Sequence, residues 1–386
     1  MFILIKDGHV YSPEDKGLND VLIAGNSIAR IAGRIDLPPE FGARVISASG
    51  KIVAPGFVDL HVHLLGGGGE GGPRTRTPEI TLSKITSAGV TTVVGCLGTD
   101  DVTRRPENLL AKAMQLDEEG ISAYIYTGSY QFPPPTVTGS VRKDIALIPK
   151  VIGVGEIAVS DHRSSQPTFD ELCRVAAEAR VGGMIGGKAG LVHLHMGSGR
   201  RRLDSILRIV EETEIPIGQF LPTHLTRSQY LLEQSIQFAK MGGNLDLTVK
   251  GQDLKFPLTT AKALQMILEE GVPIEQISLS SDSNGSMPIF DKQGNVAKLG
   301  VGDIRFLHLE IQELAAAGFQ LPQLLKLVTA NPAKRAGLFT TKGSLEVGKD
   351  ADLVIMDREM NIDSVIAKGQ VMVYEKETLT KGTFEA

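Results

Sequence analysis

The stretch Gly56-Phe57-Val58-Asp59-Leu60-His61-Val62-His63 decides how the rest of this chain is interpreted. Its apolar and β-branched residues predict a strand that ends in two histidines. Because side chains two apart on a strand point to the same face, the His61 and His63 imidazoles project together, which suits one divalent metal ion. The alternative is two unrelated polar residues on a half-exposed strand. The glycine-rich loop at 66–72 and the histidines and acids that end later strands favour the metal.

Seven further strand-like segments follow this one, with helix-like segments between and after them. The strand-like segments are Val90–Gly95, Ser122–Thr127, Val151–Glu156, Leu191–His195, Ile217–His224, Asn244–Val249 and Gln276–Asp282. The helix-like segments include Leu109–Glu119, Phe169–Val181, Leu203–Glu212, Ser228–Met241, Thr259–Glu270 and Ile304–Ala316. Eight such units in about 280 residues predict an α/β fold of the (β/α)8 TIM-barrel type. A doubly wound open sheet is the alternative, but the loop at 66–72 lacks the context of a dinucleotide fingerprint.

The two ends of the chain have a different pattern, in which short strands alternate with turns. Strand-like segments lie at Phe2–Val10, Asp20–Ile31, Arg44–Ile52, Leu353–Met356 and Val365–Tyr374. Neither end is large enough to hold a core alone. We therefore predict a small composite β-sandwich domain from residues 1–52 and 340–386, around a catalytic barrel at 53–339. Asn331-Pro332-Ala333 predicts a break in the chain before it returns to the β domain.

Composition excludes several classes of protein. The 386 residues are 42% hydrophobic and 22% charged, as in ordinary globular proteins, and the net charge of −5 argues against a general nucleic-acid surface. The two cysteines, Cys96 and Cys173, lie in apolar segments, which indicates reduced, buried thiols. Neither a signal peptide nor an apolar run that could cross a bilayer is visible. We therefore predict a cytoplasmic protein that binds neither nucleic acid nor membrane.

Side chains of the metal-binding type end five of the predicted strands, where a TIM barrel carries its catalytic residues. These side chains are His61, His63, Glu156, His195, His224 and Asp282. Four histidines and two carboxylates can hold two divalent ions, with one carboxylate as a bridge and water or hydroxide between the metals. The ligands suit zinc, and cobalt or manganese could occupy the same positions.

The remaining histidines have weaker claims to the site. We expect His193 to pack in or behind the centre, because it lies deeper along the strand that ends at His195. His162, in the loop after the fourth strand, is a candidate for orienting a ligand. We predict structural roles for His9 and His308.

Two segments resemble the amidohydrolase superfamily, namely the strand at 57–63 and the ending Asn331-Pro332-Ala333 followed by Gly348-Lys349-Asp350-Ala351-Asp352-Leu353-Val354. Within that superfamily the chain resembles the isoaspartyl dipeptidases. Segments that carry this resemblance are Ser160-Asp161-His162-Arg163-Ser164, His195-Met196-Gly197, Pro222-Thr223-His224-Leu225-Thr226-Arg227 and Leu279-Ser280-Ser281-Asp282-Ser283-Asn284-Gly285-Ser286. The resemblance implies a metal-bearing barrel within a composite β domain, a homo-oligomer, and small isoaspartyl dipeptides as substrates.

One position departs from the family pattern. The resemblance implies a carboxylated lysine that bridges the metals at the end of strand four, where this chain has Glu156. A lysine carbamate and a glutamate both offer two anionic oxygens. We therefore expect Glu156 to bridge the metals directly, although its arm is shorter. Lys188 is a poor substitute, because it precedes the fifth strand.

Charged groups around the predicted centre suit an isoaspartyl peptide, which carries a free ammonium and two carboxylates. Glu70, in the glycine-rich loop, is the candidate for the ammonium, and Arg163 and Arg227 are candidates for a terminal carboxylate. The resemblance adds further substrate ligands near the isoaspartyl α-carboxylate, which are Gly68, Thr99 and Ser286. It also places Tyr130 near the scissile carbonyl, where a phenol could donate to the developing oxyanion, although aromatic loop packing is the alternative.

These residues together predict a metallo-dipeptidase that hydrolyses the β-aspartyl amide bond with a metal-activated hydroxide. Asp282 would accept the proton of the nucleophile and return it to the leaving amine. One alternative is a cyclic amidase similar to a dihydroorotase or a hydantoinase, which would have little use for Glu70. A second alternative is a non-catalytic scaffold, which we would expect to have lost metal ligands.

Overall fold

The computed structural model describes residues 1–250, 258–290 and 296–385. Its strands are, in chain order, β1 (Phe2–Tyr11), β2 (Asp15–Ala24), β3 (Ser27–Ala32), β4 (Arg44–Ser47), β5 (Ile52–Pro55), β6 (Phe57–Val62), β7 (Val90–Gly95), β8 (Ser122–Thr127), β9 (Val151–Val159), β10 (Leu191–Met196), β11 (Phe220–Thr223), β12 (Leu245–Thr248), β13 (Ile277–Ser280), β14 (Ser286–Phe290), β15 (Val296–Val301), β16 (Leu353–Met356), β17 (Ile362–Ala367), β18 (Gln370–Tyr374) and β19 (Glu377–Thr378). Its α-helices are α1 (Leu82–Ser87), α2 (Pro106–Glu118), α3 (Val141–Leu147), α4 (Phe169–Gly186), α5 (Asp204–Glu212), α6 (Gln229–Lys240), α7 (Thr260–Glu269), α8 (Arg305–Ala316), α9 (Leu321–Val328) and α10 (Ala330–Arg335).

Strands β6 to β13 form the barrel. Among the described residues, β6 to β11 are six parallel strands in sequential order, and β12 pairs in parallel with β13. A parallel bridge between Val62 and Ser283 joins the first strand to the segment after the eighth, and a 2.7 Å hydrogen bond from Thr223 Oγ1 to Asp246 Oδ2 joins the sixth to the seventh. The predicted (β/α)8 fold and its eight strand positions are therefore confirmed.

The barrel strands are apolar at both faces because helices cover the outside and side chains fill the inside. Every residue of β6, β7, β9 and β10 is buried. The sequence of such a strand is a nearly continuous apolar run and not an alternation of apolar and polar residues. His61, Glu156 and His195 lie towards the carboxyl ends of these strands, which is where the site forms.

Helix prediction succeeded for long helices and failed for short ones. The six predicted helices are present as α2 and α4–α8, whereas α1, α3, α9 and α10 were missed because six to eight residues show little helical periodicity. The break predicted at Asn331-Pro332-Ala333 is wrong, because these residues lie in the first turn of α10. A proline is tolerated there because its missing N–H would have no partner within the helix.

The two ends of the chain form one sheet, which has nine strands among the described residues. Strand β5 pairs antiparallel with β16, from Ile52 opposite Met356 to Pro55 opposite Leu353, and so joins the amino-terminal strands to the carboxyl-terminal ones. Strand β1 pairs with β2 on one side and with β4 and then β5 on the other. The predicted composite β domain is confirmed as this sheet, whereas the division into 1–52 plus 340–386 and 53–339 stays a prediction.

No helix within the described ranges is both long and apolar enough to span a bilayer. Both cysteines are free, as predicted. Cys96 is buried, whereas Cys173 is only half-buried, on α4.

Candidate active site

The carboxylate of Glu156 is the centre of a buried cluster at the carboxyl-terminal mouth of the barrel. Its Oε2 atom lies 3.1 Å from His61 Nε2 and 3.8 Å from His63 Nε2. Its Oε1 atom lies 2.8 Å from His195 Nδ1 and 3.0 Å from His224 Nε2. One carboxylate oxygen therefore faces the histidines of the first barrel strand, and the other faces the histidines of the fifth and sixth strands.

Asp282 closes the cluster from the end of the eighth barrel strand. Its Oδ1 atom lies 3.0 Å from His63 Nε2 and 3.4 Å from His61 Nε2. Asp282 and His224 have positive φ angles of 49° and 63°, a conformation that is uncommon and unfavourable for residues other than glycine. All six predicted metal ligands therefore lie together, and two of them are in strained backbone where the chain leaves its strand.

The cluster fits divalent metal ions. Glu156 Oε2 and both ring nitrogens of His61 are buried, and none of them makes a hydrogen bond among the described residues, although Oε2 and His61 Nε2 lie 3.1 Å apart. Such atoms are costly to bury unless something satisfies them, and a cation would do so. Ligand atoms come within 4.8 Å of one another in the groups Glu156–His195–His224, His61–His224–Asp282 and His61–His63–Cys96–Glu156.

Cys96 belongs to the last of these groups and was not predicted at the site. It follows β7 directly, and its sulfur lies 3.9 Å from both ring nitrogens of His63. Its position after a barrel strand was the signal that could have revealed it.

Asp161 and two arginines surround the outer nitrogen of His195. The Nε2 atom lies 3.0 Å from Asp161 Oδ2, 3.1 Å from an Arg163 guanidinium nitrogen and 2.9 Å from an Arg227 guanidinium nitrogen. Burial raises the pKa of Asp161, but hydrogen bonds from His195 and Arg163 outweigh it and hold that pKa far below its usual range. Sequence reasoning named both arginines but missed the aspartate that lies between them.

The outer nitrogen of His224 has a different environment. Its Nδ1 atom lies 2.8 Å from the Thr248 hydroxyl, which lies 2.8 Å from the Thr223 hydroxyl. Thr223 in turn donates to Asp246. A buried chain of hydroxyls therefore supports this histidine, and sequence reasoning did not identify it.

Glu70 lies beyond the metal-ligand cluster, in the loop after β6. Its carboxylate accepts hydrogen bonds from Ser286 Oγ at 2.8 and 2.9 Å and from Thr99 Oγ1 at 3.1 Å, and it lies 3.3 Å from Arg163. Three other predicted substrate-binding side chains thus contact Glu70. Through Arg163 they are connected to His195.

Gly68 shapes the loop that carries Glu70. It has a φ angle of 81°, and a side chain there would place Cβ 2.3 Å from the Thr75 carbonyl oxygen. Only glycine fits at this point, because the backbone angle and the close approach both exclude a side chain. The loop therefore brings its main chain close to the site.

Tyr130 points its hydroxyl into the centre. Its Oη atom lies 2.5 Å from His195 Nδ1, and the Arg163 guanidinium lies over its ring at 5.2 Å. Burial, together with the Glu156 carboxylate, raises the pKa of Tyr130 well above its usual value. The phenol therefore keeps its proton near neutral pH, and its hydroxyl contacts the ligand cluster.

Four other histidines lie outside the ligand cluster. His193 packs below His61 with ring centres 4.8 Å apart, and burial lowers its pKa to about 3. His9 pairs with Asp15 on the surface at 2.7 Å, and His308 lies 2.7 Å from the Met360 carbonyl oxygen. His162 lines a separate cleft of about 370 Å³ between the loops after β9 and β10.

Lys188 lies at the opposite end of the fourth barrel strand from Glu156. Its ammonium donates to the carbonyl oxygens of Ile145, Ile148 and Val151. It therefore cannot reach the ligand cluster, in agreement with the prediction.

The fold and this cluster define a hydrolase barrel of the metal-dependent class. Residues 52–372 match the model of the amidohydrolase family. The chain belongs to the amidohydrolase family, and it is a hydrolytic enzyme.

Within the amidohydrolase family, the chain is similar to solved structures of β-aspartyl dipeptidases. A β-aspartyl dipeptidase from Fervidobacterium islandicum AW-1, solved in complex with the β-Asp-Leu dipeptide, is 45% identical, with a TM-score of 0.92 over 98% of both chains. A second structure of a β-aspartyl dipeptidase from this organism is 43% identical, with a TM-score of 0.90 over 98% of both chains. The resemblance to isoaspartyl dipeptidases is thereby confirmed.

Dihydroorotases are more distant relatives. One from Streptococcus pyogenes is 35% identical over 164 residues, which cover 41% of this chain and 35% of that enzyme. One from Lactobacillus leichmannii is 24% identical over 96% of this chain and 92% of its own.

Proposed function

We propose that the enzyme hydrolyses β-aspartyl dipeptides at a centre of two divalent metal ions. The observation that carries this proposal is the position of Glu156, whose two oxygens face different histidine pairs. A carboxylate in that position suits a bridge between two cations. Support for the substrate comes from the relative solved with β-Asp-Leu and from the charged groups around the cluster.

We further propose that Glu156 replaces the carboxylated lysine of related enzymes. Glu156 places two carboxylate oxygens in the cluster without any covalent modification. Lys188 donates hydrogen bonds to carbonyl oxygens at the other end of the barrel. Protein prepared without bicarbonate should therefore bind its full complement of metal. A crystal structure with a carbamate on a lysine at the metals would contradict this proposal.

Glu70 is proposed to bind the free ammonium of the isoaspartyl residue. Thr99 and Ser286 hold its carboxylate, and a substrate ammonium could share the oxygens that now accept their hydrogen bonds. Gly68, Thr99 and Ser286 would lie beside the α-carboxylate of the same residue. A cyclic amide has no ammonium, so this acid favours a peptide substrate.

Arg163 and Arg227 are proposed to bind the terminal carboxylate of the dipeptide. Both guanidinium groups lie on the side of His195 opposite Glu156, 3.1 and 2.9 Å from its Nε2 atom. A guanidinium can donate two parallel hydrogen bonds to one carboxylate. Opposite charges on Glu70 and on the arginines would then orient the dipeptide across the centre.

Asp282 and Tyr130 are proposed to act on the reacting groups. Divalent ions, when bound, would supply hydroxide near neutral pH and polarise the scissile carbonyl. Asp282 would take the proton of the nucleophile and return it to the leaving amine, which departs as a neutral group. The protonated Tyr130 hydroxyl would donate to the oxyanion as the carbonyl becomes tetrahedral.

The deciding experiment compares hydrolysis of β-Asp-Leu, α-Asp-Leu and dihydroorotate, each with and without a chelator. We expect chelator-sensitive hydrolysis of β-Asp-Leu alone. Preference for α-Asp-Leu would refute the isoaspartyl assignment, and turnover in the presence of a strong chelator would refute the metal.

A cyclic amidase is the second candidate, supported by the likeness to a dihydroorotase over nearly the whole chain. Faster turnover of dihydroorotate than of β-Asp-Leu would establish it. The complete ligand set and the family argue against a non-catalytic scaffold. Zinc as the metal, a homo-oligomeric assembly and a cytoplasmic location belong to the same proposal, and metal analysis and sedimentation of the purified enzyme test the first two.

A further inference from the structure

Asp161 contacts both a proposed metal ligand and the proposed substrate arginines, and it belongs to neither group. Its Oδ1 atom accepts the Arg163 backbone N–H at 2.8 Å and the Arg163 Nε–H at 3.0 Å. Its Oδ2 atom lies 2.9 Å from a terminal nitrogen of Arg163, 3.0 Å from His195 Nε2 and 3.5 Å from Arg227. One buried carboxylate therefore contacts a proposed metal ligand and both proposed substrate arginines.

The two nitrogens of His195 face opposite sides. Its Nδ1 atom faces Glu156 and the centre, whereas Nε2 faces Asp161 and the guanidinium groups. A neutral imidazole carries one proton, and the nitrogen that binds a metal must be the unprotonated one. If Nδ1 is to bind metal, the proton must be on Nε2 and needs an acceptor there.

Asp161 is the acceptor that the surroundings provide. The other polar contacts of Nε2 among the described residues are with guanidinium nitrogens of Arg163 and Arg227, which donate hydrogen bonds and cannot accept them. Without the carboxylate, these donors would favour a lone pair on Nε2. The proton would then move to Nδ1, where it would block the metal.

We propose that Asp161 is a positioning residue that fixes the His195 tautomer for metal binding and holds Arg163 ready for the substrate carboxylate. This inference rests on the proposed metal centre and deepens it. It connects the two functions of the site, because the same carboxylate orients a metal ligand and a substrate cation.

The backbone of the loops after β9 and β10 holds Asp161 against His195. A side chain at Gly197 would place its Cβ 2.2 Å from the Ser160 carbonyl oxygen and 2.5 Å from the Asp161 Cα. The Gly199 N–H donates to that same carbonyl oxygen at 2.7 Å. The loops after β9 and β10 are thus pressed together, which brings Asp161 against the end of the strand that carries His195.

The test is the variant Asp161→Asn, with Asp303→Asn as a matched control. Asp303 accepts the same set of bonds from Arg305, from the backbone N–H, Nε and a terminal nitrogen, but it is half-exposed. Competition with a chromogenic chelator measures metal affinity, independently of turnover. We expect Asp161→Asn to weaken the affinity by about 10- to 100-fold and Asp303→Asn to leave it unchanged.

Two further measurements separate positioning from folding. In the zinc-loaded wild-type enzyme, ¹⁵N chemical shifts of labelled histidine should show His195 protonated on Nε2, and a proton on Nδ1 would overturn the proposal without any variant. Asp161→Asn should also raise KM for β-Asp-Leu, since Arg163 loses the charged partner that orients it beside His195. Wild-type metal affinity in Asp161→Asn would overturn the proposal whatever happens to turnover.

Failure of the proposed function would look different from failure of this inference. If the wild-type enzyme does not hydrolyse β-Asp-Leu, the substrate assignment falls. The chelator competition and the chemical shifts still decide the role of Asp161, because neither measurement needs a substrate.

Discussion

The two sides of the candidate metal centre are held in place in different ways. On the strand-one side, His61 has no hydrogen-bond partner for either ring nitrogen among the described residues, and packing against His193 positions its ring. On the other side, both His195 and His224 have their outer nitrogens bonded, to Asp161 and to Thr248. Strand geometry therefore positions one side, whereas polar side chains orient the other. We expect substitutions to reveal this difference.

The largest expected effect is at Asp282, which contacts both histidines of strand one. Asp282→Asn keeps the shape of the side chain but removes the proton acceptor, so kcat for β-Asp-Leu should fall by about 10²- to 10⁴-fold. Metal analysis of the purified variant should still find bound metal, because the histidines and Glu156 remain. Near-normal turnover would remove Asp282 from the acid–base role.

Tyr130→Phe tests the opposite side, where the phenol contacts His195. Loss of a donor to the developing oxyanion should lower kcat by about 10²-fold, at the lower end of what such donors contribute. KM should change little, since the hydroxyl stabilises the transition state more than the bound substrate. A rise in KM, with kcat preserved and kcat/KM lowered by the same factor, would instead assign Tyr130 to substrate binding.

The metal ligands of both sides could be predicted from sequence, because their positions follow from strand periodicity and strand ends. His61 and His63 share a face through the two-residue repeat of a strand, and Glu156, His195 and Asp282 lie where barrel strands end. Those rules need no knowledge of loops. They explain why all six predicted ligands lie in one cluster.

The supporting partners on the other side could not be predicted in this way. Asp161 and Thr248 act through contacts between different strands and loops, and those distances depend on how the barrel closes. One local signal was present. An aspartate two residues before an arginine can accept the backbone N–H of that arginine and pair with its side chain, as Asp161 and Asp303 both do.

Glu70→Gln addresses the substrate rather than the metal. The amide keeps hydrogen-bonding capacity towards Thr99 and Ser286 but loses the negative charge. A charged hydrogen bond to the substrate ammonium contributes about 1.5–3 kcal/mol, so kcat/KM for β-Asp-Leu should fall by about 10- to 100-fold. Metal affinity should be unchanged, because Glu70 lies outside the ligand cluster. An unchanged kcat/KM would assign Glu70 to loop structure and favour the cyclic amidase.

The smallest expected effect is at Thr248, and it sharpens the comparison between His195 and His224. Thr248→Val keeps the shape of the side chain and removes the hydroxyl that lies 2.8 Å from His224 Nδ1. The hydrogen bond is neutral and contributes about 0.5–1.5 kcal/mol, so metal affinity should fall by about 2- to 10-fold in the same chelator competition.

The Thr248 effect should be smaller than that of Asp161→Asn for a physical reason. Thr223 donates its proton to Asp246, so Thr248 donates to Thr223 and its oxygen accepts from His224 Nδ1. This acceptor is a neutral hydroxyl, whereas the acceptor beside His195 is a carboxylate that stands between two guanidinium donors. If Thr248→Val weakened metal binding more than Asp161→Asn did, the hydroxyl chain through Thr223 to Asp246 would be the stronger support. We would then conclude that Asp161 holds the arginines in place and does not orient a metal ligand.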